Sequence, residues 1–261
     1  MHILVTNDDG VTAPGLLALA QAMRSLGKVT ICAPDRNWSA SGHVKTLHRP
    51  LRVTEVILAD GSSALSTDGA PSDCVAMPLM GLVEEKVDLV VAGINPNANI
   101  GYDITYSGTV TSAMEGVITG NVPGIAFSLD MPEYHSSQID FSTAAKVARD
   151  IVTKSMNSGL PEKVFLNINI PFLPYEQLQG FMVTRQGLRI YRDVLEKRLD
   201  PRGRPYYWIG GKAPSGILKN GTDFGALKAG YVSITPLQLD LTDLDAMNTM
   251  EDWDWIPNGS E

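Results

Sequence analysis

Short apolar runs that alternate with segments of helical periodicity constrain the fold of this chain more than any other feature. Each run is short enough for a buried strand, and the segments between them repeat apolar residues every three or four positions. The runs cover residues 2–6, 29–33, 64–67, 87–94, 124–128 and 164–171. Strands joined by such helices lie parallel in one sheet, because right-handed crossovers return the chain to the same edge. The alternation therefore predicts an α/β fold with a doubly wound, mostly parallel, Rossmann-like sheet.

The character of the chain changes after these runs, where aromatic residues cluster beside arginines. We expect a Rossmann-like core over residues 1–180 and a C-terminal extension over residues 181–261 that packs partly back on the core. Residues 189–209 read as two strands joined by a turn at 200–203, which predicts a β-hairpin arm. Aromatic side chains beside Arg are typical of protein contact surfaces. We therefore predict that residues 186–208 make subunit contacts.

Composition and charge exclude several classes of partner. The chain has 261 residues, of which 44% are hydrophobic, so it can bury a sizeable core. A formal net charge of −8 argues against duplex nucleic acid and anionic membranes as partners. We find no run that could span a bilayer and no export signal, and we expect a cytoplasmic protein. Cys32 and Cys74 lie in apolar runs and are expected to be buried free thiols.

The first predicted strand runs directly into an acidic turn at residues 7–10. Gly10 lets the backbone turn sharply, so Asp8 and Asp9 lie at the carboxyl end of the strand, where open α/β sheets bind ligands. Neighbouring carboxylates repel each other unless a cation compensates their charge. The turn therefore predicts a site for a hard divalent metal. The alternative is a solvated turn that contains two Asp and binds no metal.

Two more polar loops follow strands at the same predicted edge of the sheet. One of them contains Ser39, and the other carries Asn95, Asn97 and Asn99 directly after the run at 87–94. Asn supplies carbonyl oxygens for a metal and amide hydrogens for an anion, but it also favours turns through its own backbone bonds. The second loop is therefore either a ligand loop or an Asn-rich turn.

The next helix is predicted to begin at Ser107, Gly108 and Thr109. Free N–H groups at a helix N-terminus bind anions, and Gly permits close approach, so this end can hold a phosphate. Ser107 or Thr109 can equally serve as a plain N-cap. We interpret His43 and His48 as surface or hydrogen-bonded residues rather than functional ones.

Several of these stretches match one family in the same order along the chain. They are residues 3–10 (ILVTNDDG), 33–42 (APDRNWSASG), 68–75 (DGAPSDCV), 88–95 (DLVVAGIN), 106–110 (YSGTV), 166–171 (LNINIP) and 230–237 (GYVSITPL). Together they resemble the SurE family, the stationary-phase survival protein nucleotidases. The resemblance extends over nearly the whole chain and is far more specific than any one motif.

The resemblance implies a metal-dependent 5′-nucleotidase, a phosphomonoesterase that hydrolyses nucleoside 5′- and 3′-monophosphates to nucleoside and phosphate. It implies one divalent ion per subunit, Mg²⁺ or Mn²⁺, and a homodimer or homotetramer built with the C-terminal arm. The implied metal ligands are Asp8, Asp9, Ser39 and Asn95, of which Asp8, Asp9 and Asn95 form the catalytic centre. The residues expected on the phosphate and substrate side are Asn97, Asn99, Ser107, Gly108 and Thr109.

Two positions depart from the family pattern. Asn97 stands where the family usually has Gly, and the family's Gly-Thr-Pro-Ala is Gly-Ala-Pro-Ser at residues 69–72, with Ala70 in place of Thr. The first departure can alter the phosphate-side loop and the second the substrate rim. Neither affects an implied metal ligand.

The expected chemistry is direct hydrolysis by metal-activated water without a covalent phosphoenzyme. An aspartyl-phosphate phosphatase separates its two Asp by one residue, whereas Asp8 and Asp9 are adjacent. A non-enzymatic phospho-receiver domain needs an Asp after a central strand and a Lys after a later one, but this chain has Asn95 there and no Lys directly after Phe127. A dinucleotide-dependent oxidoreductase needs a Gly-rich fingerprint after the first strand, which is absent.

Overall fold

The computed structural model describes residues 1–132, 139–253 and 255 of the chain. Its strands are β1 (His2–Thr6), β2 (Lys28–Pro34), β3 (Val53–Ile57), β4 (Ser63–Thr67), β5 (Leu89–Asn95), β6 (Gly124–Asp130), β7 (Val164–Pro171), β8 (Phe181–Val183), β9 (Arg189–Leu199), β10 (Pro205–Gly216) and β11 (Val232–Gln238). Its α-helices are α1 (Pro14–Met23), α2 (Pro71–Met77), α3 (Gly108–Gly120), α4 (Ser142–Ser158), α5 (Asp223–Lys228) and α6 (Leu244–Glu251).

Nine strands form one sheet in the order β3-β4-β2-β1-β5-β6-β7-β11-β8. Neighbours from β4 through β7 run parallel, whereas β3 on β4 and β11 on β7 are antiparallel. The predicted α/β fold with a doubly wound, mostly parallel sheet is therefore confirmed. The chain leaves β1 for β2 on one side and later enters β5 on the other. The carboxyl ends of β1 and β5 thus flank the topological switch point, where folds of this kind bind ligands.

Helices cover both faces of this sheet. All five residues of β1 are buried, and they alternate between the faces. Ile3 and Val5 pack in the core that includes residues of α1 and α4, whereas Leu4 packs with Cys74 and Val75 of α2. Strands buried on both faces read as continuous apolar runs, which is why the sequence pattern located them.

Three local features concern where helices and strands begin and end. Helix α1 ends at Met23, although apolar residues at helical spacing continue to Leu26. A Cβ at Gly27 would lie 2.3 Å from the carbonyl oxygen of Met1, because the chain turns there against its own N-terminus to enter β2. Between residues 43 and 58 one strand forms, β3, as an antiparallel edge strand. Pro78 ends α2, as expected for a proline in a helix.

The C-terminal third contributes to two sheets. β8 and β11 extend the main sheet, whereas β9 and β10 pair antiparallel in a separate two-stranded sheet. This hairpin confirms the predicted arm, and its turn is closed by a hydrogen bond from Gly203 N to Asp200 O of 2.9 Å. The division of the chain near residue 180 stays a prediction. Among the described residues, no helix has the length and hydropathy that a membrane crossing requires.

Candidate active site

The acidic turn after β1 is held by its own first residue. The side chain of Asn7 donates from Nδ2 to Gly10 O at 3.0 Å, and Gly10 N donates back to Asn7 Oδ1 at 3.3 Å. Gly10 has a φ of +109°, and a Cβ there would lie 3.3 Å from the carbonyl carbon of Arg36. Only Gly fits this conformation and this close approach, so the turn presents Asp8 and Asp9 at the end of the strand.

Asp8 is buried against the N-terminus of α3. Thr109 Oγ1 donates to Asp8 Oδ1 at 2.5 Å, and the backbone amides of Gly108 and Thr109 also donate to this carboxylate. A Cβ on Gly108 would lie 2.7 Å from Asp8 Cβ, so the helix can approach this closely only with Gly at this position. Burial raises the pKa of Asp8, although these hydrogen bonds oppose the rise.

Asp9 is less buried, but its charge is disfavoured as well. Burial and, after it, the negative charge of Asp8 raise the pKa of Asp9 to about 7. Two carboxylates that both disfavour ionisation are stabilised when a cation binds between them. The electrostatics of the turn therefore favour a cation at this place.

The loop that contains Ser39 lies across this turn. Trp38 N donates to Asp8 O at 2.7 Å, and Gly42 N donates to Tyr106 O at 2.9 Å. These two backbone bonds tie the loop to the acidic turn at one end and to the segment before α3 at the other. Ser39 is exposed between them, with its backbone N donating to Asn37 Oδ1 at 2.7 Å.

The loop after β5 completes the site. Asn95 donates from Nδ2 to Asn97 O at 2.5 Å, and within the part of the chain that the structure describes its Oδ1 oxygen accepts no hydrogen bond. One cavity of about 340 Å³ opens between this loop, the acidic turn and the start of α3. Its lining residues are Asp8, Ser39, Ala40, Asn95, Asn97, Asn99, Asp103, Tyr106 and Ser107. Of the predicted site residues, all of which the structure describes, Asp9, Gly108 and Thr109 do not line this cavity.

Comparison with known proteins gives the family of this chain. The family model described as survival protein SurE matches residues 3–193. The chain belongs to the SurE family. The resemblance seen in the sequence is therefore confirmed, and four of the seven stretches that carried it contribute residues to the cavity, namely residues 3–10, 33–42, 88–95 and 106–110.

Two relatives and one solved structure illustrate how closely the chain follows this family. A protein of Herpetosiphon aurantiacus named 5′-nucleotidase SurE is 52% identical over 98% of this chain and 99% of its own length. A protein of the same name from Aquifex aeolicus is 46% identical over 95% of this chain and 96% of its own length. The crystal structure of a SurE protein from Aquifex aeolicus has a TM-score of 0.81 at 44% identity and covers 96% of this chain and 98% of that one.

The predicted SurE site residues differ in what their side chains contact. Ser107 is the N-cap of α3, because its Oγ accepts a hydrogen bond from Val110 N at 3.1 Å, which confirms one of the two expectations for it. The amides of Gly108 and Thr109, expected on the phosphate side, are directed at Asp8. Asn99 is buried and donates from Nδ2 to Ser128 Oγ at 2.8 Å. This hydrogen bond holds the side chain of Asn99 against β6, so that Asn99 supports the loop after β5.

A buried amide network beneath the Asn loop was missed by sequence reasoning. Asn167 and Asn169 both donate from Nδ2 to Asn99 O, at 2.8 and 3.0 Å, and Asn99 N donates to Asn169 Oδ1 at 2.8 Å. The available signal was two Asn at alternate positions of an otherwise apolar strand, since alternate residues of a strand point to the same face. Their partner loop lies far away in sequence.

A second support, from the C-terminal third, was also missed. Asp103 of the cavity wall forms an ion pair with Arg189 of β9, Nη1 to Oδ2 at 2.5 Å, and accepts a hydrogen bond from Tyr191 OH. Asp223, which is buried, accepts from Gly101 N at 2.8 Å and from Gly187 N at 2.7 Å. The residues next to Asp223 in the sequence give no indication of these distant partners.

The remaining candidate residues behave as expected. His43 lies with Nε2 2.7 Å from Glu115 Oε2 and His48 is exposed, so their interpretation as hydrogen-bonded and surface residues is confirmed. Cys32 and Cys74 are both buried and free, as predicted.

The predicted donor set, of which Asp8, Ser39 and Asn95 line the cavity and Asp9 follows Asp8 in the acidic turn, fits a hard divalent ion. Within the described residues, no three or more His, Cys, Asp or Glu side chains form a metal cluster. The predicted set of Asp8, Asp9, Ser39 and Asn95 has instead two carboxylates, a hydroxyl and an amide carbonyl. All of these donors are oxygens, which suits Mg²⁺ or Mn²⁺ and leaves coordination positions open.

Proposed function

We propose that this SurE-family protein is a metal-dependent 5′-nucleotidase that hydrolyses nucleoside 5′-monophosphates, and also 3′-monophosphates, to nucleoside and phosphate. The observation that carries the proposal is the meeting of Asp8, Ser39 and Asn95, from three separate loops, in one cavity at the switch point of the sheet. The name 5′-nucleotidase SurE, carried by relatives of near-equal length, supports the same substrate class.

In this proposal Asp8, Asp9, Ser39 and Asn95 hold one Mg²⁺ or Mn²⁺ ion per subunit. Such an ion supplies a Lewis acid that neutralises phosphoryl oxygens and activates water. Thr109 and the N-terminus of α3 hold Asp8 in place, so that this carboxylate needs little reorganisation when the ion binds. The cavity is closed at its base by the Asn99 network, which keeps the Asn loop in one conformation.

The substrate side is proposed to be the opposite wall of the cavity. Asn97 is exposed at the rim and Ser107 lies at the start of α3, where the helix dipole favours a phosphoryl group. Tyr106 also lines this wall and is 61% exposed, so the nucleoside has an apolar surface within reach. These groups bind and orient the phosphomonoester while negative charge builds on its oxygens.

Hydrolysis is proposed to occur in one step, without a phosphoenzyme. Asp8 and Asp9 are needed as ligands, so neither carboxylate is free to attack phosphorus. Among the described residues, neither the Ser39 nor the Ser107 hydroxyl is hydrogen-bonded to a side chain that could act as its base.

A metal-stripped phosphatase assay over a panel of nucleoside 5′- and 3′-monophosphates tests this proposal. We expect no activity after chelation and recovery with Mg²⁺ or Mn²⁺. With a chiral phosphate ester, one in-line displacement inverts the configuration at phosphorus, whereas two successive displacements retain it. Net retention, or a trapped phospho-aspartate, would refute the one-step mechanism.

We further propose that the β9–β10 arm joins subunits into a homodimer or homotetramer. An isolated two-stranded hairpin is only marginally stable in water, and this one leaves large apolar side chains exposed. They include Val194, Leu195, Leu199, Tyr206, Tyr207, Trp208 and Ile209. A cytoplasmic location is also part of the proposal.

A further inference from the structure

Glu115 of α3 is a fully buried carboxylate outside the cavity. Charged side chains are almost never fully buried unless they are paired. Its Oε1 accepts a hydrogen bond from Lys45 Nζ at 2.7 Å, its Oε2 lies 2.7 Å from His43 Nε2, and Thr119 Oγ1 donates to Oε1 as well. Burial would raise the pKa of Glu115, but these contacts outweigh burial and lower the pKa to about 2. The group is therefore an anion with both oxygens satisfied.

Two of the three partners of Glu115 come from the loop that carries Ser39. Residues 35–52, all of which the structure describes, form neither helix nor strand. Such a segment keeps one conformation only where contacts outside it restrain the backbone. Gly42 is tied to α3 and its preceding turn by two bonds, from Gly42 N to Tyr106 O at 2.9 Å and from Thr111 Oγ1 to Gly42 O at 3.2 Å. His43 and Lys45 then continue this line of contacts along the helix.

The same helix holds the other side of the proposed metal site. Thr109 in the first turn of α3 binds Asp8, whereas Glu115, about two turns later, binds the loop that follows Ser39. Helix α3 is thus a rigid connection between two groups that must converge on one ion. Without the Glu115 contacts, the Ser39 loop would be held less firmly, by backbone bonds such as Trp38 N to Asp8 O and Gly42 N to Tyr106 O, while Asp8 stays in place.

We infer that Glu115 is a positioning residue for the metal site, which holds the Ser39 loop against α3 through Lys45 and His43 before the ion binds. This inference rests on the proposed function and extends it to a residue that does not touch the ion. Part of the metal affinity would then depend on the ion pair between Lys45 and Glu115, which does not contact the ion. Partners that orient metal ligands typically contribute tenfold or more to metal affinity.

The test is Mn²⁺ binding to the metal-free full chain, measured by electron paramagnetic resonance of free Mn²⁺ and by calorimetry. For Glu115→Gln, which keeps the shape but removes the charge, we expect Mn²⁺ affinity to fall about tenfold. Lys45→Met removes the partly exposed partner of Glu115 and should also lower the Mn²⁺ affinity. The double variant should bind about as weakly as Glu115→Gln alone, because both changes break one interaction.

Glu85→Gln is the matched control. Glu85 pairs with Lys28 at 2.5 Å on the surface, so this variant makes the same chemical change to another Lys–Glu pair. It should bind Mn²⁺ like the wild type. If Glu115→Gln does not fold, the Mn²⁺ affinities of Lys45→Met and Glu85→Gln are compared instead. The inference then requires weaker binding in Lys45→Met alone.

Two results would overturn the inference. One is wild-type Mn²⁺ affinity in both folded variants. The other is a lowered melting temperature with unchanged Mn²⁺ affinity, which would make Glu115 a stabilising residue only. Failure of the proposed function is distinct, since the wild type would then bind no Mn²⁺, or Asp9→Asn would bind it equally well.

Discussion

The cavity edge of the main sheet and the β9–β10 arm differ in how their side chains are satisfied. At the cavity edge, Asp8 and Asn99 are buried and hydrogen-bonded to groups of the same chain. On the arm, Trp208 and Ile209 are 61% and 81% exposed. The first region is therefore stabilised by hydrogen bonds within the chain, whereas the second presents apolar surface that another molecule can cover. Changes at the edge should affect chemistry and changes on the arm should affect assembly.

The largest effect is expected for Asp9→Asn at the cavity edge. Loss of one carboxylate ligand should reduce kcat/KM on the order of 10³-fold or more, because the ion would be the main catalyst. The matched control is Asp193→Asn on the exposed face of β9, where the same change should leave the rate near that of the wild type. Steady-state assays at saturating Mn²⁺ measure both. If kcat/KM fell equally in both variants, the cavity edge and the arm would not differ in their effect on the chemistry.

Shortening the arm should change the mass of the protein rather than its chemistry. Asp193 and Gly211 face each other in the hairpin, so residues 194–210 can be replaced by Asn-Gly, which forms a two-residue turn. Arg189 and Tyr191, which support Asp103, are kept. Light scattering should then give the mass of a monomer. An unchanged oligomer would exclude the arm as the subunit contact.

Acid titration should separate Glu115 from exposed carboxylates. The pKa of Glu115 is lowered in the fold from its ordinary 4.5 to about 2, so its contribution to stability is complete above 4.5 and is lost as the pH falls towards 2. The size of the shift corresponds to a contribution on the order of 3 kcal/mol. Urea unfolding should give Glu115→Gln a lower free energy of unfolding than the wild type at pH 6, and this difference should be smaller at pH 3. If the difference in the free energy of unfolding did not change with pH, the charge of Glu115 would not be the source of its stabilising effect.

The smallest effect is expected for Asn97→Gly, which restores the residue usual in the family. The side chain of Asn97 is exposed at the rim, and only its backbone oxygen accepts the bond from Asn95. Loss of one substrate hydrogen bond of about 1 kcal/mol should raise KM roughly fivefold without changing kcat. Assays with a 5′-monophosphate measure this. A lower KM would mean that Asn97 obstructs the phosphate side.

The sequence alone determined the features that depend on neighbours along the chain. The apolar runs located six of the nine strands of the main sheet, and the turn at residues 7–10 and the N-cap at Ser107 formed where residue type and spacing predicted them. These features follow from local physics, namely side-chain periodicity, glycine conformation and helix capping. The order of motifs also indicated the family.

Only the tertiary structure decided which of these local features meet. Asp8 lies beside Thr109, and Glu115 beside Lys45, because β1 pairs with both β2 and β5 and so brings distant loops to one edge. The roles of Asn169 and Asp223 as supports arise in the same way. A hydrogen bond between residues far apart in sequence depends on sheet order and on close packing, and neither leaves a local pattern in the amino-acid sequence.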